Sequence, residues 1–403
     1  MARVTRPPAL HLGDAHNFGR RVALRGDTVH KPRTLLWEWL LLSRASPLRT
    51  RLCSLARRDE LGGAAFDFLP DLRFVSPHAR GGGDVERVTL APLPRTSARL
   101  ARELAGVVGR ALALFSWLGV SDLHWENLVL GAGPRGEVIF APLDIEMILG
   151  DLALPTETKL LPDADPEVAA ICQHACGVRR VLPYLGKPLR AALLVQVAAA
   201  YLRTLDFLDR NASAIAEVFA RLPRLRETPI RVLLRGTDEY VRARSAPGGL
   251  WPPLLAAEEE QLSRGDIPYF FRLYGRPYVH YYADRSLTKI GRLPLQGDVP
   301  RLGPLLSVSR SRGLRSPRRR SLREDGLFAL LGAFDHPSLS GAHAEGGVEV
   351  TFARRVLVVK AGGEQLEAAR DMSAFVTSVY SPCRCGEVRT VFVPPVTRCH
   401  ARA

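Results

Sequence analysis

The sequence predicts a mixed α+β fold with a strand-rich N-terminal lobe and a mainly helical second lobe. Three observations predict it. Residues 9–33 alternate in the manner of short strands around a hairpin turn, residues 95–118 form the longest amphipathic helical pattern, and a group of acids and one amide follows that helix directly. We therefore expect strands in the first part of the chain and mainly helices in the second.

The first lobe is predicted from its turn chemistry. Residues 22–24 and 28–30 flank Arg25-Gly26-Asp27, which is a hairpin signal, and Lys31 ends the second strand of that hairpin. Residues 34–61 are predicted as a helix whose Glu38 is a speculative partner for Lys31, because Pro32 lies between them. Residues 66–76 follow as a strand or a crossing between lobes, and residues 80–84, with three glycines, as a flexible loop.

The helix at residues 95–118 carries a wide apolar stripe, with Thr96 or Ser97 able to cap its start and Gly119 its end. The pattern beyond it predicts further elements. They are strands at 128–130 and 138–141, helices within 166–222, 229–244 and 250–262, an aromatic turn at 265–271, a strand-like run at 274–282, a hairpin at 347–360 and a helix at 366–379.

Acids and an amide are spaced after the long helix as a phosphoryl-transfer site requires. Asp122 precedes Asn127 by five positions, with His124 between them, and Asp144 and Glu146 follow a hairpin-like connection. Protein kinases space their catalytic base and their metal-binding Asn as D-x-x-x-x-N and place a metal-binding Asp beyond a β-hairpin. For each residue alone a turn cap or a solvated loop acid is the favoured interpretation, but their order together favours a kinase-like site.

Composition and charge exclude several classes of protein. The 403 residues carry a formal charge of +15, and only five of the 56 basic residues are Lys, so Arg-rich codon usage explains part of the basicity. No nucleic-acid-binding motif is present, and we expect no nucleic-acid partner. No apolar run reaches membrane-spanning length and the N-terminus lacks a signal-peptide core, so we expect a cytoplasmic protein without a membrane contact.

The six cysteines are too unevenly spaced for a disulfide framework. Cys172 and Cys176 enclose His174, but a helix would turn His174 away from the face that the two thiols share. Cys383, Cys385 and Cys399-His400 match no structural zinc spacing. Neither set therefore predicts a metal site.

Four regions are predicted along the chain. Residues 1–95 form the N-lobe-like part, residues 96–300 the catalytic part, residues 301–325 a basic disordered linker, and residues 326–403 a segment without an assigned role.

Five motifs in order resemble the dehydratase domain of class II lanthipeptide synthetases, the LanM-type enzymes. They are G-D-A-H at 13–16 with K-P-R at 31–33, D-L-H-W-E-N at 122–127, D-I-E at 144–146, R-x-x-x-R-x-T-x-x-Y at 231–240 and G-D-I-P-Y-F at 265–270. The match covers residues 9–285. The resemblance implies a two-lobe fold similar to lipid and protein kinases, in which ATP and Mg²⁺ phosphorylate Ser and Thr of a precursor peptide carrying a leader. The phosphate is then eliminated to leave dehydroalanine or dehydrobutyrine.

The resemblance also implies roles for individual residues. Lys31 would hold ATP phosphates, Asp122 would be the base on the substrate hydroxyl, and His124 would support it. Three residues would bind Mg²⁺ or position the loop: Asn127, Asp144 and Glu146. Elimination would use Arg231 and Thr237, with Asp14 and His16 nearby.

Two departures from the family pattern matter. Only thirteen residues precede Asp14, where the family has a longer segment, so a truncated N-lobe is expected and another protein is a candidate to supply the missing part. The family's zinc-dependent cyclase half is absent, so ring closure would need a separate cyclase. Two alternatives therefore stay open: a kinase-like enzyme that phosphorylates without eliminating, and an inactive scaffold.

Overall fold

The computed structural model confirms the mixed α+β class. The structure describes residues 10–94, 97–162, 176–185, 191–245, 253–293, 305–309, 313–315, 322 and 325–333, together with five further strands nearer the C-terminus. Among the described residues, no helix is both long and apolar enough to cross a membrane.

The N-terminal part of the chain forms a five-stranded antiparallel sheet. Its strands are β1 (Leu10–His16), β2 (Arg20–Arg25), β3 (Thr28–Lys31), β4 (Phe74–Val75) and β5 (Gly83–Glu86), in the order β1-β2-β3-β5-β4. The predicted hairpin is confirmed, since Arg25 pairs with Thr28 across it. The glycine-rich segment predicted as a loop differs at its end, because Gly83 pairs with Lys31 and extends the sheet.

Two helices occupy the region predicted as one. Helix α1 (Leu36–Leu42) and helix α2 (Pro47–Ala56) are separated at residues 43–46. Pro47 disfavours helical backbone at the residue before it, and the Ser46 side chain instead accepts a hydrogen bond from the Arg49 N–H at the new helix start. The break leaves α1 as a short helix directly after β3.

Helix α3 (Ala98–Leu118) is buried in the main hydrophobic core, close to its predicted bounds. Ser97 caps its start by accepting a hydrogen bond from the Leu100 N–H. Helix α4 (Leu182–Leu185) and helix α5 (Ala191–Arg210) follow later, and α5 packs along α3. At Gly109 the two backbones approach so closely that a Cβ would lie 2.3 Å from the Val197 oxygen. The buried apolar face of α3 thus forms part of the same core as α1 and α2.

Gly119 ends α3 and starts the loop that carries Asp122. Its φ of 66° is left-handed, and the next N–H, of Val120, donates back to the Phe115 oxygen at 2.8 Å. A Cβ at this position would lie 1.9 Å from the Gly150 oxygen. Glycine is therefore required for two reasons: its left-handed backbone conformation and the close approach of the chain at Gly150.

We expect Gly119→Ala to be clearly more destabilising than Gly136→Ala. Both glycines have left-handed backbones, which cost an alanine about 1–2 kcal/mol, but a Cβ on Gly136 would meet no atom within 4 Å. The overlap at Gly119 adds an overpacking cost of about 1–3 kcal/mol. Urea unfolding of the two variants measures the difference, and equal free energies of unfolding would contradict the close approach.

A hairpin connects the two acidic parts of the predicted site. Strands β6 (Leu128–Ala132) and β7 (Val138–Pro142) are antiparallel, as predicted, with Leu128 opposite Pro142. A 3-10 turn at Trp125–Asn127 leads into β6. The hairpin returns the chain beside its own start, because the Leu143 N–H donates to the Asn127 oxygen at 2.7 Å.

A second sheet corrects one prediction. After helix α6 (Ala212–Arg221), residues 229–244 form strand β8 (Pro229–Val232) and helix α7 (Thr237–Ser245) instead of one helix. Helix α8 (Ala256–Ser263) and strands β9 (Phe270–Leu273), β10 (Val279–Tyr282) and β11 (Ile290–Arg292) follow. The four strands form one antiparallel sheet in the order β11-β10-β9-β8. Pairing of β8 with the aromatic strand β9 outweighs the helical spacing of its arginines.

The C-terminal region also differs from the prediction. Within the expected linker, β12 (Ser307–Ser309) and β13 (Gly313–Arg315) pair as strands. Helix α9 (Asp325–Ala333) follows. The predicted hairpin at 347–360 is confirmed, but residues 366–379 form strands and not a helix. They belong to the antiparallel sheet of β14 (Glu349–Ala353), β15 (Val356–Ala361), β16 (Glu364–Asp371), β17 (Ala374–Tyr380) and β18 (Val388–Phe392).

Candidate active site

Lys31 and Glu38 form the ion pair that the sequence left speculative. The Lys31 Nζ lies 3.3 Å from the Glu38 Oε1, and both side chains are buried. The pairing is possible because Pro32 turns the chain out of β3 and the short helix α1 then carries Glu38 back beneath the end of the strand. A strand lysine is thereby fixed by a helix glutamate.

Asp144 and Glu146, which follow the β6–β7 hairpin, join this pair. The Lys31 Nζ lies 3.3 Å from the Asp144 Oδ1 and donates to the Leu143 oxygen at 2.6 Å. Arg33 bridges all three carboxylates: its terminal nitrogen contacts both Glu38 and Asp144, and its Nε lies 3.0 Å from the Glu146 Oε1. Two cations therefore connect the residues after the hairpin to the end of the N-terminal sheet.

Arg231 reaches the same carboxylates from strand β8. Its Nη1 lies 3.3 Å from the Glu146 Oε1, and its backbone N–H donates to the Glu146 oxygen at 2.9 Å. We call the six residues the ion cluster. It contains the cations Lys31, Arg33 and Arg231 and the carboxylates Glu38, Asp144 and Glu146.

Charge is balanced in the ion cluster but hydrogen bonding is incomplete. Burial alone would raise the pKa of the Asp144 carboxyl, yet Arg33, then Lys31 and Arg231, hold it well below its usual range. About 36% of the Asp144 side chain is nevertheless reached by solvent. In the described part of the chain, the Glu38 Oε2, the Glu146 Oε2 and the Arg231 Nε are buried without a hydrogen-bond partner. Buried polar atoms of this kind call for a water or a ligand.

The D-L-H-W-E-N motif forms a loop, and backbone hydrogen bonds hold it on both sides of Asp122. The Ser121 N–H donates to the Met147 oxygen at 3.0 Å, and the Leu123 N–H donates to the Thr158 oxygen at 2.9 Å. Asp122 lies between them with a left-handed φ of 65°, a conformation that Asp tolerates better than most residues. Its carboxylate is half-exposed, so the loop presents it to the solvent side of the site.

Two neighbours order the Asp122 loop. The His124 Nε2 lies 3.9 Å from the Asp122 Oδ1, and the Asn127 side chain donates to the Asp122 backbone oxygen at 2.9 Å. Since Leu143 is hydrogen-bonded to Asn127, the next residue, Asp144, lies beside the loop. The hairpin therefore brings Asn127 and Asp144 to one edge.

The G-D-A-H motif, expected as a phosphate-covering loop, forms the end of strand β1 because it pairs with β2, and the G-D-I-P-Y-F segment holds it and the turn that follows. Asp266 is fully buried, and its carboxylate accepts hydrogen bonds from the N–H groups of Phe18 and Gly19, each at 2.7 Å. The Ile267 N–H donates to the Ala15 oxygen at 2.8 Å. Two motifs that are 250 residues apart thus form one local structure.

His16 lies beside Arg231 in this arrangement, whereas Asp14 is exposed. The His16 Nδ1 is 2.8 Å from the Ile267 oxygen. Because a carbonyl only accepts, Nδ1 carries the proton and Nε2 is the basic nitrogen. The Tyr269 ring contacts both side chains, with the His16 ring 6.0 Å and the Arg231 guanidinium 5.4 Å from its centre.

Burial and then the Arg231 charge lower the pKa of His16. The unfolded chain binds a proton here below about pH 6.5, while the folded protein resists it. The unfolded state therefore gains protons first, and stability falls as the pH drops through that range. We expect His16→Gln, which cannot titrate, to reduce the dependence of the free energy of unfolding on pH below about 6.5. Urea unfolding at several pH values tests this, and identical pH slopes in both proteins would refute it.

The other residues of the R-x-x-x-R-x-T-x-x-Y motif do not join Arg231 in the ion cluster. Arg235 Nε lies 3.0 Å from the Glu258 Oε1, and the Tyr240 hydroxyl donates to the same oxygen at 2.7 Å, so these two residues fix α8 against α7. Thr237 begins α7, and the described structure gives its side chain no hydrogen bond to the ion cluster. The two arginines do not share a face, because Arg231 is on a strand.

Sequence reasoning missed the roles of three residues. Arg33 was noted only as part of K-P-R, yet it contacts all three carboxylates of the ion cluster. Tyr269 contacts both His16 and Arg231, and Asp266 holds the turn after β1. No alternation rule predicts the position of Arg33, because the chain bends after Lys31.

The structure places the three residues assigned to Mg²⁺ as follows. Asp144 and Glu146 lie together in the ion cluster, and Asn127 lies beside Asp144. Among the described residues, no group of three His, Cys, Asp or Glu side chains is placed to hold a metal. The Asp144 and Glu146 carboxylates and the Asn127 amide are the ligand types that suit a Mg²⁺ also bound by phosphate oxygens, and the Oε2 of Glu146 is unpartnered.

The cysteines give no alternative metal centre in the part of the chain that the structure describes. Cys53 and Cys176 are free thiols there, and burial raises the pKa of Cys176 to about 11. Cys172, His174, Cys383, Cys385 and Cys399 lie outside the described residues.

No protein-family model matches the chain, and neither does any curated protein.

Proposed function

We propose that the chain is an ATP-dependent Ser/Thr dehydratase of the lanthipeptide type, with a kinase-like fold. It phosphorylates hydroxyls of a precursor peptide that carries a leader and then eliminates the phosphate. The observation that carries the proposal is the shared ion cluster, in which Lys31 and Arg33 from one lobe meet Arg231 from the other on Asp144 and Glu146. One group of cations can then serve both the arriving and the departing phosphate.

Phosphoryl transfer would use the side of the ion cluster that faces the Asp122 loop. Lys31, fixed by Glu38, binds the nucleotide phosphates, while Asn127, Asp144 and Glu146 hold Mg²⁺. When bound, Mg²⁺ neutralises phosphate charge and orients the terminal phosphoryl group. Asp122 accepts the proton of the substrate hydroxyl as its oxygen attacks phosphorus, and His124 positions that carboxylate.

Elimination would use the side of the ion cluster nearest to His16, at the end of β1. His16 is neutral and has a basic Nε2, so it suits removal of the Cα proton of the phosphorylated residue. The electron pair left on Cα forms the Cα=Cβ double bond, the Cβ–O bond breaks, and phosphate leaves with the bonding electrons. Arg231 and Arg33 stabilise the charge on that phosphate, because a guanidinium binds two of its oxygens at once.

Mass spectrometry of candidate precursor peptides, each with a leader and a Ser/Thr-rich C-terminal part, tests the proposal. Incubation with the protein, ATP and Mg²⁺ is expected to remove one water per modified residue, and Asp122→Asn is expected to prevent any change of mass. A synthetic phosphopeptide supplied with no ATP isolates the elimination step. An unchanged peptide mass together with an absence of ATP binding would overturn both steps. Ring closure is left to a separate cyclase in this proposal.

A phosphotransferase without elimination is the second candidate. The observation that favours it is Thr237, which lies at the start of α7 and is not joined to the ion cluster by a described hydrogen bond. Phosphopeptide that accumulates with the unmodified protein, and is left intact on longer incubation, would select this function.

A further inference from the structure

A groove lies beside helices α1 and α2. It has a volume of about 1020 Å³ and lies between α1, α2, the residues after β4 and the end of α6. Its apolar lining includes Trp39, Pro47, Val218 and Leu222. No residue of the ion cluster contributes to it. The volume is at the upper end for small-molecule pockets, which favours a longer ligand.

The rim of the groove is basic. Arg51, Arg221 and Arg224 line it with a single carboxylate, that of Glu217, which pairs with Arg221. The Arg224 side chain donates to the His78 oxygen at 3.2 Å, so one of the three guanidinium groups is positioned by the backbone. Three arginines against one glutamate complement a ligand that carries several negative charges.

Apolar lining beneath a basic rim indicates the chemistry of the ligand. A peptide segment that mixes Asp or Glu with apolar side chains satisfies both parts, since its apolar groups leave water and its carboxylates meet the arginines. A nucleic acid would use the rim but would leave the aliphatic lining uncovered. The acidic peptide is therefore the better match.

Helix α1 joins this groove to the ion cluster through three consecutive residues. Trp37 donates its indole N–H to the Pro229 oxygen at 2.8 Å, at the start of the strand that carries Arg231. Glu38 holds Lys31 and Arg33. Trp39 lines the groove, with its ring edge-on to His78 at 5.1 Å. A ligand that packs on Trp39 therefore acts on a seven-residue helix that also positions the cluster.

We propose that the groove binds an acidic peptide segment of a partner polypeptide, and that this segment holds α1 in the position that keeps Glu38 on Lys31. The binding site itself is independent of the proposed dehydratase function. Only its effect on the ion cluster rests on that function, through nucleotide binding.

Selection from a random peptide display library on the intact protein tests the groove. Enrichment of peptides that combine Asp or Glu with Leu, Ile or Phe is expected. Selected peptides that are neutral or basic, or no enrichment, would overturn the proposal. A fluorescein-labelled selected peptide then gives a dissociation constant by anisotropy, and a labelled oligo-dT strand is measured beside it. Tighter binding of the oligo-dT, lost in the same variants, would replace the peptide with a nucleic acid and overturn the proposal.

Two kinds of variant locate the binding. Arg51→Glu with Arg224→Glu reverses the rim, and we expect the peptide dissociation constant to rise at least about tenfold. Arg242→Glu with Arg244→Glu is the matched control, because it changes the net charge equally at exposed positions outside the groove. Ala214→Trp fills the groove without changing charge and is also expected to weaken binding. Equal effects of the rim and control pairs would contradict the assigned site.

The effect on α1 is measured separately. With saturating peptide, the increase in melting temperature on adding ATP and Mg²⁺ is expected to be larger than without it, because the positioned Glu38 preorganises Lys31. A peptide that binds in the groove without changing this increase would overturn the link to the ion cluster. An absence of any ATP response with or without peptide would count against the proposed function, while peptide binding by anisotropy would still establish the groove.

Discussion

Arg33→Met is expected to lower the free energy of unfolding by about 3–5 kcal/mol, the usual cost of removing one member of a buried ion pair. Arg33 contacts Glu38, Asp144 and Glu146. Without it, three carboxylates share the two remaining cations, and one buried negative charge is uncompensated. Equilibrium urea unfolding of the variant and the unmodified protein measures the loss.

Two comparisons make the Arg33 result specific. Arg80→Met breaks an exposed pair with Glu227 and is expected to change stability by about 1 kcal/mol or less. Adding Glu38→Gln to Arg33→Met restores a balance of two cations and two carboxylates, so the double variant is expected to regain part of the lost stability. A single variant no less stable than Arg80→Met would show that Arg33 does not hold the cluster together.

Arg231→Met is expected to separate the two reactions. Phosphoryl transfer depends on Lys31, Asp122 and Asp144 and should continue, whereas the departing phosphate loses its guanidinium. Removing one charge-stabilising donor costs about 10²–10³-fold in rate in comparable sites. Phosphopeptide should therefore accumulate, and mass spectrometry over time measures its formation and decay.

Arg235→Met is the matched control for Arg231→Met. Arg235 is four residues away but pairs with Glu258 outside the ion cluster, so its loss should reduce stability without trapping phosphopeptide. Accumulation in both variants would assign the effect to the β8–α7 region as a whole. Continued full dehydration by Arg231→Met would remove Arg231 from the elimination step.

Local signals predicted the elements with strong ends and strong periodicity. Helix α3 has an apolar stripe over 21 residues, a serine cap and a left-handed glycine, and its bounds follow from these features. The helix expected across Arg231 and Arg235 was wrong because a four-residue spacing of arginines looks helical, while the pairing partner that makes β8 a strand lies forty residues later. Long-range pairing of this kind is not visible in a local pattern.

Motif spacing picks out the residues of the candidate site but not the contacts between them. The order Lys31, Asp122, Asn127, Asp144 follows from spacing. The ion pairs around them depend on contacts between residues that are far apart in the chain, which no single segment encodes. Asp266 illustrates the point, because its burial against Phe18 and Gly19 becomes apparent only when residues 250 positions apart are brought together. The groove beside Trp39 is likewise formed by four separate segments.

Magnesium-dependent binding of ATP tests the ion cluster most directly, and thermal unfolding measures it. A ligand that binds only the folded protein stabilises it by about 2.7 kcal/mol at a hundred times its dissociation constant. ATP with Mg²⁺ is expected to raise the melting temperature of the unmodified protein, and Lys31→Met and Asp144→Asn are each expected to abolish that increase. Arg80→Met should keep it. An unmodified protein whose melting temperature is unaffected by ATP and Mg²⁺, or whose increase survives both cluster substitutions, would contradict the assignment of the cluster as the phosphate site.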